Sequence, residues 1–298
     1  MIAGEIQQHS GGAYVMAKAR AYGELLKFRL SFLVAFSCAF GYVLASSPVN
    51  WTALLMVFLG GFLISGASVT INQVIEKDLD KLMIRTMGRP LPTLRLSVNE
   101  AIAFAVICFL AGIAILMVYA NLLTVTLSVI SMILYSFLYT PLKRVGPIAV
   151  FVGAIPGALP PLLGWTAATG AIAHEALIIF GIQFIWQFPH FWAIAWVADD
   201  DYKKAGFKLL PSGGQKDMNT AIQIMIYTMF LIPLGLLPAT FGITGVNSAI
   251  VATLCGVLFF AQTFSLMKSG DRRSALKIMF GSFLYLPIVQ IAYLLDKI

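Results

Sequence analysis

Long apolar segments, separated by short polar ones, follow one another along almost the whole chain. Each is roughly 20 residues long, the length that an α-helix needs to cross the hydrocarbon core of a bilayer. The segments are uniformly apolar, whereas the strands of a membrane barrel alternate between apolar and polar residues. The pattern predicts an all-α polytopic membrane bundle of nine transmembrane helices, at residues 28–47, 52–74, 99–119, 122–140, 148–168, 175–198, 219–242, 247–267 and 277–295.

The composition agrees with a bilayer as the solvent of this chain. Of its 298 residues, 59% are hydrophobic and 11% are charged, and the mean hydropathy is +0.88. These values exclude an ordinary soluble globular domain. The cysteines lie singly inside apolar segments, so they predict neither a disulfide framework nor a metal site. We expect one domain over residues 1–298, with a cytoplasmic N-terminal segment at 1–26 and functional loops at 72–98 and 199–218.

The basic residues predict the orientation in the membrane. The net charge is +7, and every Lys and Arg except Lys297 lies on the same side of the bundle: before or at the start of the first predicted helix, in alternate loops, or at the start of the last helix. Because basic loops stay in the cytoplasm, we expect a cytoplasmic amino terminus and a carboxyl terminus on the opposite side. This placement explains the positive charge without a nucleic-acid partner, and the partner that it predicts is the lipid bilayer.

The second apolar segment ends in polar residues at a spacing of four. If the helix continues, Asn72, Glu76 and Asp80 stack on one of its faces. One amide and two carboxylates are suitable ligands for Mg²⁺, which takes oxygen donors and is often shared with the phosphates of a substrate. The alternative is a solvated helix end, with ordinary pairs of Glu76 with Lys77 and of Asp80 with Lys81.

A second acidic cluster, residues 199–201, lies on the same predicted side of the membrane. Two acidic clusters that face each other repel unless cations lie between them. The pair of clusters therefore favours a metal-bridged diphosphate over a solvated helix end.

Four segments together resemble the heme O synthase (protoheme IX farnesyltransferase) branch of the UbiA-type intramembrane prenyltransferases. They are the run 72–90, Tyr-Thr-Pro-Leu-Lys-Arg at 139–144, the Gly- and Pro-rich run 153–165, and Trp-Gln-Phe-Pro-His-Phe-Trp at 186–192. The sequence departs from that family at Glu76, where Asp is usual. The resemblance implies transfer of a farnesyl group from farnesyl diphosphate to a vinyl group of heme B, giving heme O for terminal oxidase assembly.

The resemblance also implies the surroundings of the reaction. Mg²⁺ is the expected cofactor, and heme B is a substrate rather than a permanent cofactor. The expected partners are farnesyl diphosphate, heme B, the lipid bilayer, and heme A synthase or terminal oxidase assembly factors. The expected location is the bacterial inner membrane.

The candidate site residues follow from the acidic clusters and these segments. The expected metal ligands, which we also take as catalytic, are Asn72, Glu76, Asp80, Asp200 and Asp201. Tyr139 and Lys143 are further candidate catalytic residues. The candidate diphosphate-binding residues are Lys77, Arg85, Arg89, Lys143, Arg144 and Lys204, and the candidate heme-binding residues are His190, Trp165, Trp186 and Trp192.

Two of these segments allow a structural explanation beside the functional one. The Gly and Pro residues of 153–165 are expected to thin, kink or break the fifth helix so that a bulky ligand can lie against its backbone, and the alternative is close helix packing. His190 is either an axial ligand of heme iron or a buried imidazole that is hydrogen-bonded to a neighbouring helix. The tryptophans flank a porphyrin or a prenyl chain, or they are interfacial or core residues.

Two other functions compete with farnesyl transfer to heme. A UbiA-type enzyme acting on a quinone precursor or a chlorin would use the same diphosphate chemistry. A membrane transporter would also contain broken helices and polar residues. The transporter is disfavoured because no Asp, Glu, Lys or Arg lies at the middle of a predicted helix.

Overall fold

The structure is a computed structural model that describes residues 11–298, so residues 1–10 of the predicted N-terminal segment lie outside it. The described part has nine helices that are long and apolar enough to cross a membrane, as predicted. They are α2 (Phe28–Ala45), α3 (Trp51–Asp80), α4 (Val98–Tyr119), α5 (Leu122–Leu142), α6 (Ile148–Thr169), α7 (His174–Val197), α9 (Met218–Thr240), α10 (Val246–Ser269) and α11 (Arg272–Leu295).

Two helices were not predicted. The N-terminal segment contains α1 (Gly11–Leu25), and the loop after α7 contains the short α8 (Asp199–Lys204). The chain turns from α1 into α2 at Lys27, whose φ of 44° lies in the left-handed region. This turn places the start of α2 beside the middle of α3, where the ring centre of Phe28 lies 5.5 Å from that of Phe62.

Polar side chains begin several of the spanning helices. The side chains of Asn50, Asn121, Asp217 and Asp271 accept N–H groups at the first turns of α3, α5, α9 and α11. Ser97 begins α4 in a reciprocal arrangement with Glu100. Because the first N–H groups of a helix have no partner inside it, these caps define where each apolar segment becomes helical.

The helices pack mostly with their neighbours in sequence, and four long-range contacts close the bundle. Those four are α2 with α6, α7 with α11, α3 with α5, and a smaller contact of α2 with α11. The outer surface is rich in exposed apolar side chains such as Ile107, Val118 and Leu258. A surface of this kind is unfavourable in water and favourable against lipid tails, so the chain is a multi-pass membrane protein.

The backbones of α2 and α6 are in close contact. A Cβ atom on Gly164 would overlap the carbonyl oxygen of Cys38, and one on Gly41 would overlap that of Pro161. α6 is one continuous helix although it contains three prolines. The predicted break of this helix is therefore wrong, and at Gly164 the alternative of close helix packing holds, because the backbone of α2 occupies that side of α6.

An uncharged polar network lies inside the bundle. Gln290 of α11 donates to Ser37 of α2 and to Gln183 of α7, at 2.8 and 3.0 Å. Gln183 in turn donates to the carbonyl oxygen of Gly157 at 2.8 Å. Each buried amide thus finds partners on neighbouring helices, as the lipid environment requires.

Candidate active site

A stripe of oxygen-bearing side chains forms where α3 extends beyond its apolar part. The helix runs to Asp80, so Asn72, Glu76 and Asp80 lie on one face, as predicted. Their side chains are almost fully buried, with 2%, 4% and 0% of each residue exposed. All three line one cavity at this end of the bundle.

The two carboxylates of the stripe form ion pairs with cations from outside α3. Arg89 donates to both carboxylate oxygens of Asp80, at 2.8 and 2.7 Å. Lys143, which follows α5, donates to Glu76 at 2.8 Å. Both cations were predicted to bind diphosphate, and both line the same cavity.

The expected pairs of a solvated helix end do not form. Lys77 and Lys81 both lie beside the exposed Asp78, at 3.5 and 2.8 Å. A solvated helix end is therefore the wrong interpretation of Glu76 and Asp80, because both are buried. Lys77, a predicted diphosphate-binding residue, does not line the cavity.

Lys143 is surrounded by aromatic rings as well as by Glu76. Its ammonium lies 4.7 Å from the ring centre of Tyr139 and 5.6 Å from that of Phe207. Burial acts to lower the pKa of Lys143, but the Glu76 carboxylate and nearby polar groups outweigh it, so the pKa is raised. Lys143 therefore carries a full positive charge in the cavity.

Lys27 is a cavity residue that the sequence reasoning missed, since it was counted only as a topology signal. Burial, with the nearby charges of Arg89 and Lys143, lowers the pKa of Lys27 to about 7. Its position in the sequence, just before the first apolar segment and on the side of the membrane where the basic loops lie, could have indicated that it belongs to the site. Four cations thus line the cavity, namely Lys27, Arg85, Arg89 and Lys143.

Aromatic residues form one wall of the site. Residues Leu134–Tyr139 of α5 are a π-helical turn, a rare conformation that is frequent at functional sites. Tyr135 lines the cavity, and its ring centre is 5.4 Å from that of Tyr139. Tyr139 is in turn 6.3 Å from Phe191 of α7. The rings run from the charged cavity towards the middle of the bundle.

We predicted that Asp200 and Asp201 bind metal together with the stripe, but the structure places both of them away from it. Asp201 accepts hydrogen bonds from the backbone N–H groups of Arg85 and Ile84, at 3.1 and 3.2 Å. These bonds lower the pKa of Asp201. Asp200 is exposed, and neither residue lines the cavity. Between residues 11 and 298, no three His, Cys, Asp or Glu side chains are grouped to hold a metal.

The hydrogen bonds of Asp201 join the loop after α3 directly to the loop after α7. The carboxylate holds the backbone of the loop after α3, and the Arg85 guanidinium lies 5.8 Å from the ring centre of Tyr202. The loops around 84 and 201 are thereby joined beside the cavity. Arg144 is exposed, and Lys204 lies 3.4 Å from Asp201, so neither of these predicted diphosphate-binding residues lines the cavity.

The predicted heme-binding residues point to different neighbours. His190 stacks on Trp186 with ring centres 4.3 Å apart, and its Nδ1 is 2.8 Å from the Ser282 hydroxyl of α11. Trp192 instead packs against Tyr227 of α9 at 5.0 Å, and Trp165 belongs to α6. Of the four, His190 and Trp186 stack directly, and all three tryptophans belong to one buried apolar cluster.

The stripe has the chemistry of a magnesium site. Asn72, Glu76 and Asp80 offer one amide oxygen and carboxylate oxygens within one cavity, and no cysteine or histidine is among its lining residues. Mg²⁺ prefers such ligands and takes its remaining ones from water and substrate phosphates. The four surrounding cations complement a diphosphate group.

Comparison with known proteins gives strong and nearly full-length matches. The profile of the UbiA prenyltransferase family matches residues 34–286. A protoheme IX farnesyltransferase of Cytophaga hutchinsonii is 54% identical over 280 residues, which cover 94% of this chain and 98% of the relative. A mitochondrial protoheme IX farnesyltransferase of Arabidopsis thaliana is 35% identical, and the match covers 94% of this chain and 65% of that protein.

Solved structures show the same fold. A digeranylgeranylglyceryl phosphate synthase structure has a TM-score of 0.77 at 21% identity, covering 94% of this chain and 98% of that one. A UbiA homolog from Archaeoglobus fulgidus, bound to GPP and Mg²⁺, has a TM-score of 0.62 at 16% identity, covering 92% and 99%.

Proposed function

This chain belongs to the UbiA prenyltransferase family, and we propose that it transfers a farnesyl group from farnesyl diphosphate to a vinyl group of heme B, giving heme O. The observation that carries the proposal is the cavity in which Asn72, Glu76 and Asp80 face four cations. Relatives named protoheme IX farnesyltransferase match nearly the whole chain, and their name is the basis for proposing heme as the acceptor.

The charged end of the cavity serves the leaving group. Asn72, Glu76 and Asp80 would hold Mg²⁺, which supplies positive charge to the diphosphate oxygens. The Arg89 and Lys143 cations stabilise the negative charge that grows as the bond between C1 of the farnesyl group and the diphosphate oxygen breaks. The electron pair of that bond leaves with the diphosphate.

The aromatic wall serves the allylic cation that remains. Rings at Tyr135, Tyr139 and Phe191 exclude water and present π faces to a cation. The new bond joins C1 of the farnesyl group to the outer carbon of the vinyl group. Water then adds to the inner carbon and loses a proton, which leaves a hydroxyl group.

The hydrogen bonds of His190 favour its proposed role as an axial ligand of heme. The Ser282 hydroxyl donates its single proton to the carbonyl oxygen of Met279 at 2.6 Å, so it accepts from Nδ1–H of His190. The lone pair of the neutral imidazole is then on Nε2, the form that ligates iron. Trp186 orients the same ring by stacking, and in this proposal Trp165 and Trp192 support heme through helix packing.

The remaining site residues have proposed roles at the mouth of the cavity. Asp201 holds the loop that carries Arg85, and Asp200 is the exposed acid beside it. Lys77, Arg144 and Lys204 attract the diphosphate to this end. We place this end on the cytoplasmic side of the bacterial inner membrane, and heme A synthase or oxidase assembly factors would receive the product.

The direct test uses membranes that contain the chain, incubated with farnesyl diphosphate, Mg²⁺ and heme B. Extracted pigments are analysed by mass, and membranes without the chain are the control. We expect the mass of heme to rise by one farnesyl group and one hydroxyl group. Unchanged heme, with prenylation of an added quinone precursor in a parallel incubation, would assign the chain to another acceptor.

A further inference from the structure

The π-helical turn in α5 leads directly into Thr140, a buried residue without a role so far. Its hydroxyl oxygen lies 2.9 Å from the carbonyl oxygen of Tyr135, five residues earlier. The same hydroxyl lies 2.9 Å from the side-chain amide of Asn72 on α3. Thr140 and Asn72 are each only 2% exposed, so protein atoms determine these contacts.

The number of protons available determines the direction of both hydrogen bonds. A carbonyl oxygen only accepts, and a threonine hydroxyl has a single proton, so the Thr140 hydroxyl donates to Tyr135. It then accepts from Asn72, and the contacting atom of Asn72 is Nδ2. The amide oxygen Oδ1 consequently lies on the other branch of the side chain.

The orientation of this amide decides whether Asn72 is a ligand. Asn72 lines the cavity with Glu76 and Asp80, and its side chain has no second hydrogen bond to any residue from 11 to 298. Only Oδ1 binds a hard cation, because the NH₂ group has donors and no free lone pair. If the amide were reversed, its N–H groups would point towards the metal and repel it.

We propose that Thr140 is a positioning residue, which orients Oδ1 of Asn72 towards a divalent cation in the cavity. The role rests on the proposed function, since that function supplies the metal. Thr140 acts through Asn72 and touches neither substrate nor metal. The π-helical turn contributes by placing the carbonyl oxygen of Tyr135 where it takes the hydroxyl proton.

The test measures metal binding directly. The purified full chain is titrated with Mn²⁺ in place of Mg²⁺, with a non-cleavable thio analogue of farnesyl diphosphate, and free Mn²⁺ is followed by its electron paramagnetic resonance signal. Thr140→Val keeps the shape and removes the hydroxyl. We expect its Mn²⁺ affinity to fall about 10-fold or more, the usual effect of losing an outer-shell partner. Thr140→Ser keeps the hydroxyl and should restore affinity.

A second substitution separates orientation from a purely structural effect. Asn72→Asp places an oxygen on both branches of the side chain, so one oxygen faces the cation in either orientation of the carboxylate. In that background, Thr140→Val should cause no further loss of Mn²⁺ affinity. Thr140→Ala is measured in parallel, because it removes the hydroxyl without adding a group that the buried site must accommodate.

The outcomes distinguish this inference from the proposed function. Wild-type affinity in Thr140→Val or Thr140→Ala would overturn the role of Thr140, and so would an equal loss with Asn and with Asp at position 72. Either result is compatible with heme O formation by the wild type. Absence of heme O from the wild type would overturn the proposed function instead, whatever the Mn²⁺ titrations show.

Discussion

At the scale of single residues, Asp80 combines a proposed catalytic charge with a buried ion pair. Asp80→Asn removes the charge at nearly constant shape, and we expect turnover to fall roughly 10²–10³-fold, as when a transition-state contact is lost. Sequence alone predicts little change in stability. The structure predicts a cost of roughly 1–3 kcal/mol, because Arg89 loses a buried partner. Near-normal heme O formation by the variant would argue against the metal site, and insertion into membranes is the control.

Lys27 predicts a pH dependence of substrate binding. Its pKa of about 7 means that it is charged below neutral pH and loses its proton above it. Diphosphate binds the charged form of Lys27, so above about pH 7 Lys27 must take up a proton when the substrate binds. The KM for farnesyl diphosphate should therefore rise with pH, by at most about tenfold per pH unit. Lys27→Arg stays charged and should remove this component. Equal pH profiles of the wild type and Lys27→Arg would exclude Lys27 as the cause.

His190 separates the two substrates. His190→Ala should weaken heme binding and abolish farnesyl transfer, while metal-dependent binding of the farnesyl diphosphate analogue is retained. The measurement is the heme absorption spectrum and affinity of the purified variant. Ser282→Ala is the matched variant, because it removes the partner of Nδ1 and leaves the imidazole. An unchanged heme spectrum in His190→Ala would return this residue to a packing or proton-handling role.

At the scale of helices, the contact of α2 with α6 has no room for added atoms. Gly164→Ala places a methyl group against the carbonyl of Cys38, so we expect destabilisation by about 1–3 kcal/mol or more. Gly181→Ala on α7 is the control, since a Cβ there meets nothing within 4 Å. This change should be neutral or slightly stabilising, because Ala favours a helix over Gly. Thermal unfolding in detergent compares them, and equal midpoints would contradict the close contact.

Helix ends also explain the one basic residue on the far side. Lys297 donates to the carbonyl oxygens of Val43 and Ser46 at the end of α2. Asp296 accepts the N–H of Ser248 at 2.7 Å, near the start of α10. A cation at a helix C-terminus and an anion at an N-terminus are both favourable. Lys297 is thus explained by a local contact and does not oppose the charge bias.

At the scale of the whole molecule, nine spanning helices and the charge bias predict termini on opposite sides. A reporter fused after Ile298 should report the non-cytoplasmic side of the membrane. A reporter in the loop near Gly146, between α5 and α6, should report the cytoplasmic side and serves as the control. Cytoplasmic activity of the C-terminal fusion would require an even number of spans and would contradict this orientation.

The sequence by itself determined the spans and the first acidic stripe, because both depend on short-range properties. A spanning helix requires only enough consecutive apolar residues, and the structure confirms all nine helices. A spacing of four stacks Asn72, Glu76 and Asp80 on one face of any helix that continues through them.

Only the tertiary structure decided which groups meet across helices, since helical periodicity does not say which neighbour a face meets. Glu76 pairs with Lys143 and not with Lys77, because α3 buries that face against the end of α5. Asp201 binds loop backbone and not the stripe, because its loop packs against residues 84 and 85. Thr140 likewise reaches Asn72 only through the contact between α3 and α5.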